Sequence, residues 1–96
     1  MTGRPNLIAF RATALEELES LPRSIQELTA AVIESLTKSD MPKGAMQMRE
    51  RPDLRRIYVG KKHRLIYSVP RPGEIEILRI RGRAAAYADL GKIETR

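Results

Sequence analysis

The chain has 96 residues, of which 42% are apolar and 31% charged, with a net charge of +6, no cysteine and one histidine. This length supports one hydrophobic core, so we expect a single domain over residues 1–96. Without cysteines and with a lone histidine, disulfides and a zinc site are excluded, and we expect neither a metal nor a cofactor. The N-terminal apolar run, Leu7–Phe10, is far too short for an export signal or a membrane span. We therefore expect a cytoplasmic protein with no membrane partner.

The excess positive charge lies in the second half of the chain. Residues 1–48 carry five basic and six acidic side chains, whereas residues 49–96 carry thirteen basic and six acidic ones. No acidic residue occurs between Asp53 and Glu74, a window that contains six lysines and arginines. A concentrated positive field favours a polyanionic partner, because each neutralised phosphate releases condensed counterions. The alternative explanation is a solvated surface with no such partner.

The first half of the chain predicts one strand and two helices. Leu7–Phe10 has the length and apolar character of an edge strand. Thr13 and Glu16 have the spacing of a capping box at the start of a short first helix, which Pro22 ends. A second helix that ends near Lys38 is predicted from apolar residues at spacings of three and four: Leu21, Ile25, Leu28, Val32 and Leu36.

The second half predicts three strands joined by turns. Residues 39–52 combine proline, glycine and three methionines, which indicates a connection that packs methionine on the core and has room for a short irregular strand. Strands are predicted over Leu54–Val59, Arg64–Val69 and Glu74–Ile80, a short helix is favoured after them, and order is expected to fade near the end. The order predicts an α+β domain, with two antiparallel N-terminal helices on a curled, mainly antiparallel four-stranded sheet.

Alternation along the strands separates arginines from apolar residues. If the apolar set packs on the helices, Arg56, Tyr58 and Arg64 point to the open face of the sheet. Arg79, Arg81 and Arg83 share one parity, although apolar residues of both parities on the third strand leave its phase open. Arginines on an uncovered sheet face indicate that an anion binds there.

The order of these segments resembles the RelE/ParE toxin superfamily over nearly the whole chain. The resemblance lies in PDLRRIYVGKKHRLIYSV, then EIEILRIRGRAAAY, with Arg83 four residues before Tyr87. It implies the toxin of a bacterial type II toxin–antitoxin system, which a cognate antitoxin holds inactive in a hetero-oligomer. In the RelE-like branch, the toxin enters the ribosome and cuts mRNA as a metal-independent endoribonuclease, or mRNA interferase. In the ParE-like branch, the toxin inhibits DNA gyrase and cuts no RNA.

The resemblance also implies roles for individual residues. In the endonuclease, the ribose 2′-OH attacks the adjacent phosphate, so the site must move protons and neutralise an oxyanion. Arg64 and Arg83 would then stabilise the phosphate or the transition state, with Arg56 as a supporting cation. Tyr87 would stack on a base or transfer a proton, and His63 is a further candidate for proton transfer. The residues expected to bind RNA or the ribosome are Arg55, Tyr58, Lys61, Lys62 and Arg81.

Some positions depart from the superfamily pattern or have a structural explanation. Gly82 stands where members often have a histidine, and three alanines follow Arg83, so the general acid and base stay open. Arg81 is the alternative to Arg83 if the tail has a different register. An ion pair to Asp53 or Glu76 would explain Arg64 without a ligand. The missing histidine and the RGRAAAYADL tail favour gyrase inhibition, and a third possibility is an inactive member that only binds a partner.

Overall fold

Two helices cover one face of a five-stranded sheet in the computed structural model, which describes residues 3–95. The first half contains β1 (Leu7–Phe10), α1 (Ala12–Ser20), α2 (Arg23–Lys38) and β2 (Met46–Gln47). The second half contains β3 (Arg55–Val59), β4 (His63–Arg71), β5 (Glu74–Gly82), α3 (Arg83–Tyr87) and a 3-10 turn (Leu90–Lys92). The predicted α+β architecture is confirmed. Four strands were predicted, and the fifth is the two-residue β2 in the methionine-rich connection.

The long strands β4 and β5 form the middle of the sheet, whose order is β1-β5-β4-β3-β2. Strand β1 pairs with β5 in parallel, and the other neighbours pair antiparallel. The last strand, β5, therefore lies inside the sheet, because β1 pairs with its outer edge. No helix within residues 3–95 has the length and apolar character needed to cross a membrane.

The sheet face under α1 and α2 holds the larger core. Leu65 and Tyr67 of β4 and Ile77 of β5 are fully buried there against the helices. The predicted apolar stripe of α2 fits this packing except at Leu28, which is 45% exposed. Thr29 is buried in its place and donates its hydroxyl to the Ile25 carbonyl at 2.7 Å. The threonine hydroxyl is thus satisfied within the helix, which makes its burial possible.

The predicted capping box at Thr13 is wrong. Helix α1 begins at Ala12 after Arg11, and no side chain caps its N terminus. The start is determined by the sheet, because the Arg11 N–H donates to the Ile77 carbonyl at 2.9 Å and its guanidinium pairs with Glu76 at 3.3 Å. Strand β1 therefore turns directly into α1 while it is still bonded to β5.

A bulge in β5 explains why its phase could not be read from the sequence. Ile66 pairs with Arg79 and Tyr67 pairs with Ile77, so Leu78 is the extra residue. Ile77 therefore packs with the helix-side core, while Leu78 belongs to the smaller core on the other face. The bulge shifts the alternation by one residue, so that Ile77 and Ile80, which differ in parity, both pack in the helix-side core.

The short helix predicted after β5 is confirmed as α3, but order does not fade beyond it, because Leu90–Lys92 forms a 3-10 turn and Ile93 is buried. The C-terminal segment, residues 83–95, folds back over the sheet face away from α1 and α2, here called the second face. Ala86 and Ile93 are buried there with Met48, Leu54 and Ile66. One end of the second face is thus covered by this segment.

Candidate nucleic-acid interface

The second face carries two arginines on the ring of one tyrosine. Tyr58 of β3 is 50% exposed. Cζ of Arg64 lies 4.0 Å from the centre of its ring, and Cζ of Arg56 lies 4.8 Å from it. Arg64 is the register partner of Tyr58 on β4, and Arg56 is two residues away on β3. Strand alternation therefore brings the three side chains together, and we call them the arginine–tyrosine stack.

Arg64 carries a buried charge without a carboxylate partner. Only 7% of the residue is exposed. Its Nη1 donates to the carbonyls of Lys61 and His63 at 3.2 and 2.9 Å, and its buried Nε has no hydrogen-bond partner in the described part of the chain. Because a buried charge is costly unless it is compensated, this guanidinium is suited to an anion.

The two ion pairs that would have explained Arg64 structurally do not form. Asp53 pairs with Arg51 at 2.8 Å, and Glu76 pairs with Arg11 at 3.3 Å. Among residues 3–95, none of the ion pairs involves Arg64. The buried cation therefore calls for another explanation.

A groove of about 440 Å³ adjoins the stack. Arg56 and Tyr87 both line it, so the groove lies between the sheet and the C-terminal segment. Arg56 also contacts the Met46 sulfur through Nη2 at 3.0 Å. The remaining lining residues are Met46, Gln47, Met48, Arg49, Glu50 and Leu90. Arg56 thus belongs to both the stack and the groove.

Exposed cations surround the same end of the sheet. The Arg83 N–H donates to the Lys62 carbonyl at 2.8 Å, which fixes the start of α3 beside the turn of Lys61 and Lys62. All three side chains are exposed, and none has an ion-pair partner within the described residues. Arg83 and Tyr87 are four residues apart in α3 and therefore lie on one side of that helix.

Two of the arginines predicted to bind RNA have partners within the protein. Arg81 Nε donates to the carboxylate of Glu17, whose other oxygen accepts the Ile80 N–H at 3.0 Å. Arg55 donates to the carbonyl of Asp40 at 2.8 Å and pairs with its carboxylate at 3.2 Å. Strand alternation also places Arg55 on the face opposite the stack. The structure therefore does not bring Arg55 to the other candidates.

His63 lies away from the stack. It opens β4 opposite Gly82, and alternation directs its side chain to the face opposite Arg64. Its Nδ1 is buried and has no partner among the described residues. Within residues 3–95, no three histidine, cysteine or acidic side chains are grouped as metal ligands. Of the side chains predicted to transfer protons, Tyr87 is the one that reaches the groove.

Arg79 supports the groove, and the sequence reasoning missed this role. It is 7% exposed and donates to the carbonyls of Ala86, Ala88 and Asp89 in the C-terminal segment. Burial, assisted by nearby Arg81, lowers the pKa of Arg79 from its ordinary value. The shared parity with Arg81 was visible in the sequence, but backbone acceptors leave no signal there.

Comparisons with known proteins agree with this fold. A sequence profile of the family described as ParE toxin of type II toxin–antitoxin system, parDE, matches residues 8–87. Among curated proteins the sequence has no match. A YoeB/ParE toxin from Agrobacterium tumefaciens superposes with a TM-score of 0.72 at 13% identity, over 80% of this chain and 98% of that chain.

Two further solved structures have the same fold. The archaeal RelE-RelB complex from Pyrococcus horikoshii gives a TM-score of 0.69 at 22% identity, over 82% of this chain and 96% of that chain. The RelBE2 toxin-antitoxin complex from Mycobacterium tuberculosis gives 0.60 at 26% identity, over 84% and 94%. The family profile spans most of the sequence, and the sheet with its two covering helices is that of these toxins. The chain belongs to the ParE toxin family of type II toxin–antitoxin systems, within the RelE/ParE superfamily.

Proposed function

We propose that this toxin is a ribosome-dependent mRNA endonuclease that inhibits translation. The observation that carries the proposal is the buried Arg64 guanidinium, which lies on the Tyr58 ring and is held by carbonyls instead of a carboxylate. A phosphate would supply the missing negative charge. A guanidinium can hold phosphate with parallel N–H groups, and partial burial strengthens that interaction.

The proposed reaction needs no group beyond the RNA and the protein. The 2′-oxygen forms a bond to phosphorus, the bond to the 5′-oxygen breaks, and the products are a 2′,3′-cyclic phosphate and a 5′-hydroxyl. One proton leaves the 2′-hydroxyl and one is delivered to the 5′-oxygen. Arg64, supported by Arg56, would stabilise the charge that develops on the phosphate oxygens, and Arg83 would bind a phosphate of the RNA. Tyr87 would stack on a base or transfer a proton at the groove.

The surroundings of the stack suit single-stranded RNA. Tyr87 offers an aromatic ring on which an unpaired base can stack, whereas two guanidiniums already lie over the Tyr58 ring. Lys61 and Lys62 are exposed cations at the nearest turn, where they would hold the backbone of messenger or ribosomal RNA. The stack and the turn beside it thus contain four of the six cations of the acid-free interval: Arg56, Arg64, Lys61 and Lys62.

We infer that a cognate antitoxin is the protein partner, in a toxin–antitoxin hetero-oligomer. The similar proteins from Pyrococcus horikoshii and Methanococcus jannaschii were solved as RelE–RelB complexes, and one from Staphylococcus aureus was solved as a YoeB–YefM complex. In this chain an antitoxin would be expected to cover or alter the basic second face, because occupation of that face would block RNA.

Inhibition of DNA gyrase without nuclease activity is the second candidate function. The matching family profile is described by its ParE toxins, and Gly82 occupies the place of a frequent histidine. In addition, Glu17 holds Arg81, which would be the alternative phosphate ligand. These features reduce the groups available for RNA cleavage and require that gyrase be tested directly.

One experiment separates the two functions. The purified toxin is added to a translating extract, mRNA 3′ ends are mapped, and gyrase supercoiling is measured in parallel. We expect new cuts at fixed positions within codons, and the supercoiling rate should stay unchanged. Arg71→Ala serves as a control, since Arg71 is an exposed arginine on the same strand as Arg64. Intact mRNA together with blocked supercoiling would reject the endonuclease in favour of gyrase inhibition.

A further inference from the structure

The C-terminal segment is attached to the sheet through its backbone at Arg79. Nη1 of Arg79 donates to the carbonyls of Ala86, at 3.1 Å, and Ala88, while Nη2 reaches the Asp89 carbonyl at 3.3 Å. Helix α3 has five residues, too few to be stable alone, and its last carbonyls have no partner within the helix. Arg79 supplies donors to these carbonyls, and its positive charge suits a helix C terminus.

A second arginine holds the segment one turn later. Arg51 donates from Nη1 to the Leu90 carbonyl at 2.6 Å. Its Nε and Nη2 bond both carboxylate oxygens of Asp53 at 3.0 and 2.8 Å, and Thr95 donates its hydroxyl to the same carboxylate at 2.6 Å. Asp89 lies between Ala88, whose carbonyl Arg79 binds, and Leu90, whose carbonyl Arg51 binds. The chain reverses direction at Asp89, whose φ of 52° lies in the left-handed region.

The segment that Arg79 and Arg51 hold includes two residues that line the groove, Tyr87 and Leu90. Tyr87 lies between Ala86 and Ala88, whose carbonyls both bond to Nη1 of Arg79. Leu90, whose carbonyl is bound by Arg51, lines the same groove as Tyr87. We propose that Arg79 and Arg51 are positioning residues, which hold Tyr87 in the groove by binding the backbone on both sides of it. The inference rests on the proposed function where it concerns cleavage.

This arrangement explains the choice of arginine at a buried position. An apolar residue would fill the space beneath α3, but it would leave carbonyls of the C-terminal segment without donors. A lysine has the charge but lacks the planar fork that reaches several acceptors at once. Arg79→Lys therefore keeps the positive charge but removes the planar guanidinium that donates to several carbonyls at once. Of the possible substitutions, it tests the proposal most directly. Arg71→Lys is the matched control, because Arg71 lies on the same sheet with its side chain 72% exposed.

Amide hydrogen exchange tests the attachment without reference to activity. We expect Arg79→Lys to speed exchange in residues 86–93 about tenfold or more, while strand β4 exchanges as in the wild type. Arg71→Lys should change neither region. Unchanged exchange in the C-terminal segment would overturn the proposal, as would an equal increase in β4, which would indicate general destabilisation. If Arg79→Lys does not fold, Arg51→Lys replaces it and the same comparison decides.

Cleavage kinetics then test whether the attachment positions Tyr87. We expect Arg79→Lys to lower kcat for RNA about tenfold or more with little change in KM, because misplacement of a reacting group slows the chemical step. A loosened segment with wild-type kcat would overturn the positioning role. If the wild-type toxin cuts no RNA, the proposed function fails, whereas the exchange experiment still decides whether Arg79 and Arg51 hold the segment.

Discussion

The two faces of the sheet are built on different principles. On the helix side, neutral side chains such as Leu65, Tyr67 and Ile77 are fully buried against α1 and α2. On the second face, a small apolar core lies beside two buried arginines, Arg64 and Arg79, whose partners are backbone carbonyls instead of carboxylates. The same three strands, β3 to β5, serve both faces, because alternation sends neighbouring residues to opposite sides.

This difference means that the helix side mainly stabilises the fold, whereas the second face is proposed to bind the ligand. Burial of apolar surface on the helix side stabilises the fold, because each aliphatic side chain removed from water contributes about 1.5 to 3 kcal/mol. The buried arginines of the second face contribute less to stability, since the desolvation of their charge offsets much of the gain from hydrogen bonds. Substitutions on the two faces should therefore affect different measurements.

The largest loss of stability is expected from Leu65→Ala on the helix side. Leu65 is fully buried, and truncation leaves a cavity in the larger core. We expect the free energy of unfolding to fall by about 2 to 5 kcal/mol, measured by urea denaturation. Leu15→Ala on α1 is the control, because Leu15 is 43% exposed and should change stability much less. Cleavage per folded molecule should stay at the wild-type level, and a specific loss of kcat would contradict the separation of the two faces.

Arg64→Ala on the second face should have the opposite effect, a large loss of cleavage activity with little loss of stability. It removes the guanidinium proposed to bind the reacting phosphate, so we expect kcat for mRNA cleavage to fall about 10²- to 10³-fold. The free energy of unfolding should change by only about 1 kcal/mol, since the lost bonds are two donations to carbonyls of a turn. A variant that unfolds but cuts RNA normally when folded would show that Arg64 is only structural.

Arg83→Ala is expected to have a smaller effect, on binding instead of chemistry. Arg83 is exposed at the start of α3 beside Lys62 and is proposed to contact phosphate. We expect about tenfold weaker RNA binding, and the slope of log affinity against log salt should fall by about one. Lys92→Ala is the control, because Lys92 is also exposed but lies past the reversal at Asp89. An unchanged salt slope would remove Arg83 from the interface.

The elements that local patterns determine were predictable from the sequence. Leu7–Phe10 and the end of α2 at Lys38 follow from short apolar runs and helical spacing. Alternation alone also placed Arg56, Tyr58 and Arg64 on one face. The sequence left room for a short strand within residues 39–52 but did not locate β2, because two residues have no period and the pairing with β3 depends on the loop between them.

The features that the sequence did not predict depend on contacts between residues far apart in the chain. Glu17 binds Arg81 across 64 positions of the chain, and nothing near either residue indicates the other. Order was expected to fade near the end because the last residues are polar. Arg79 and Arg51 instead hold this segment through its backbone carbonyls, which every residue has. Local sequence therefore predicts the arginine–tyrosine stack but not the hydrogen bonds of Arg79 and Arg51 that hold the backbone around Tyr87.

The smallest expected effect comes from Asp53→Asn, at the far end of that support. Hydrogen bonds from the Arg51 guanidinium, and then from Thr95, hold the pKa of Asp53 well below its usual range. Because the folded-state pKa is depressed, the stabilisation is present above about pH 4, the ordinary range of an aspartate, and is lost as the pH falls towards the folded value.

Since 42% of the Asp53 side chain is exposed, solvent screening limits this contribution to about 0.5 to 1 kcal/mol. We therefore expect Asp53→Asn to lower the free energy of unfolding by that amount at pH 7, and the difference from the wild type should shrink at pH 3. Urea denaturation at both pH values measures it, with Glu94→Gln, an exposed carboxyl in the same segment, as the control. An equal difference at both pH values would mean that the carboxylate charge does not stabilise the segment, and would leave Arg79 as its main attachment.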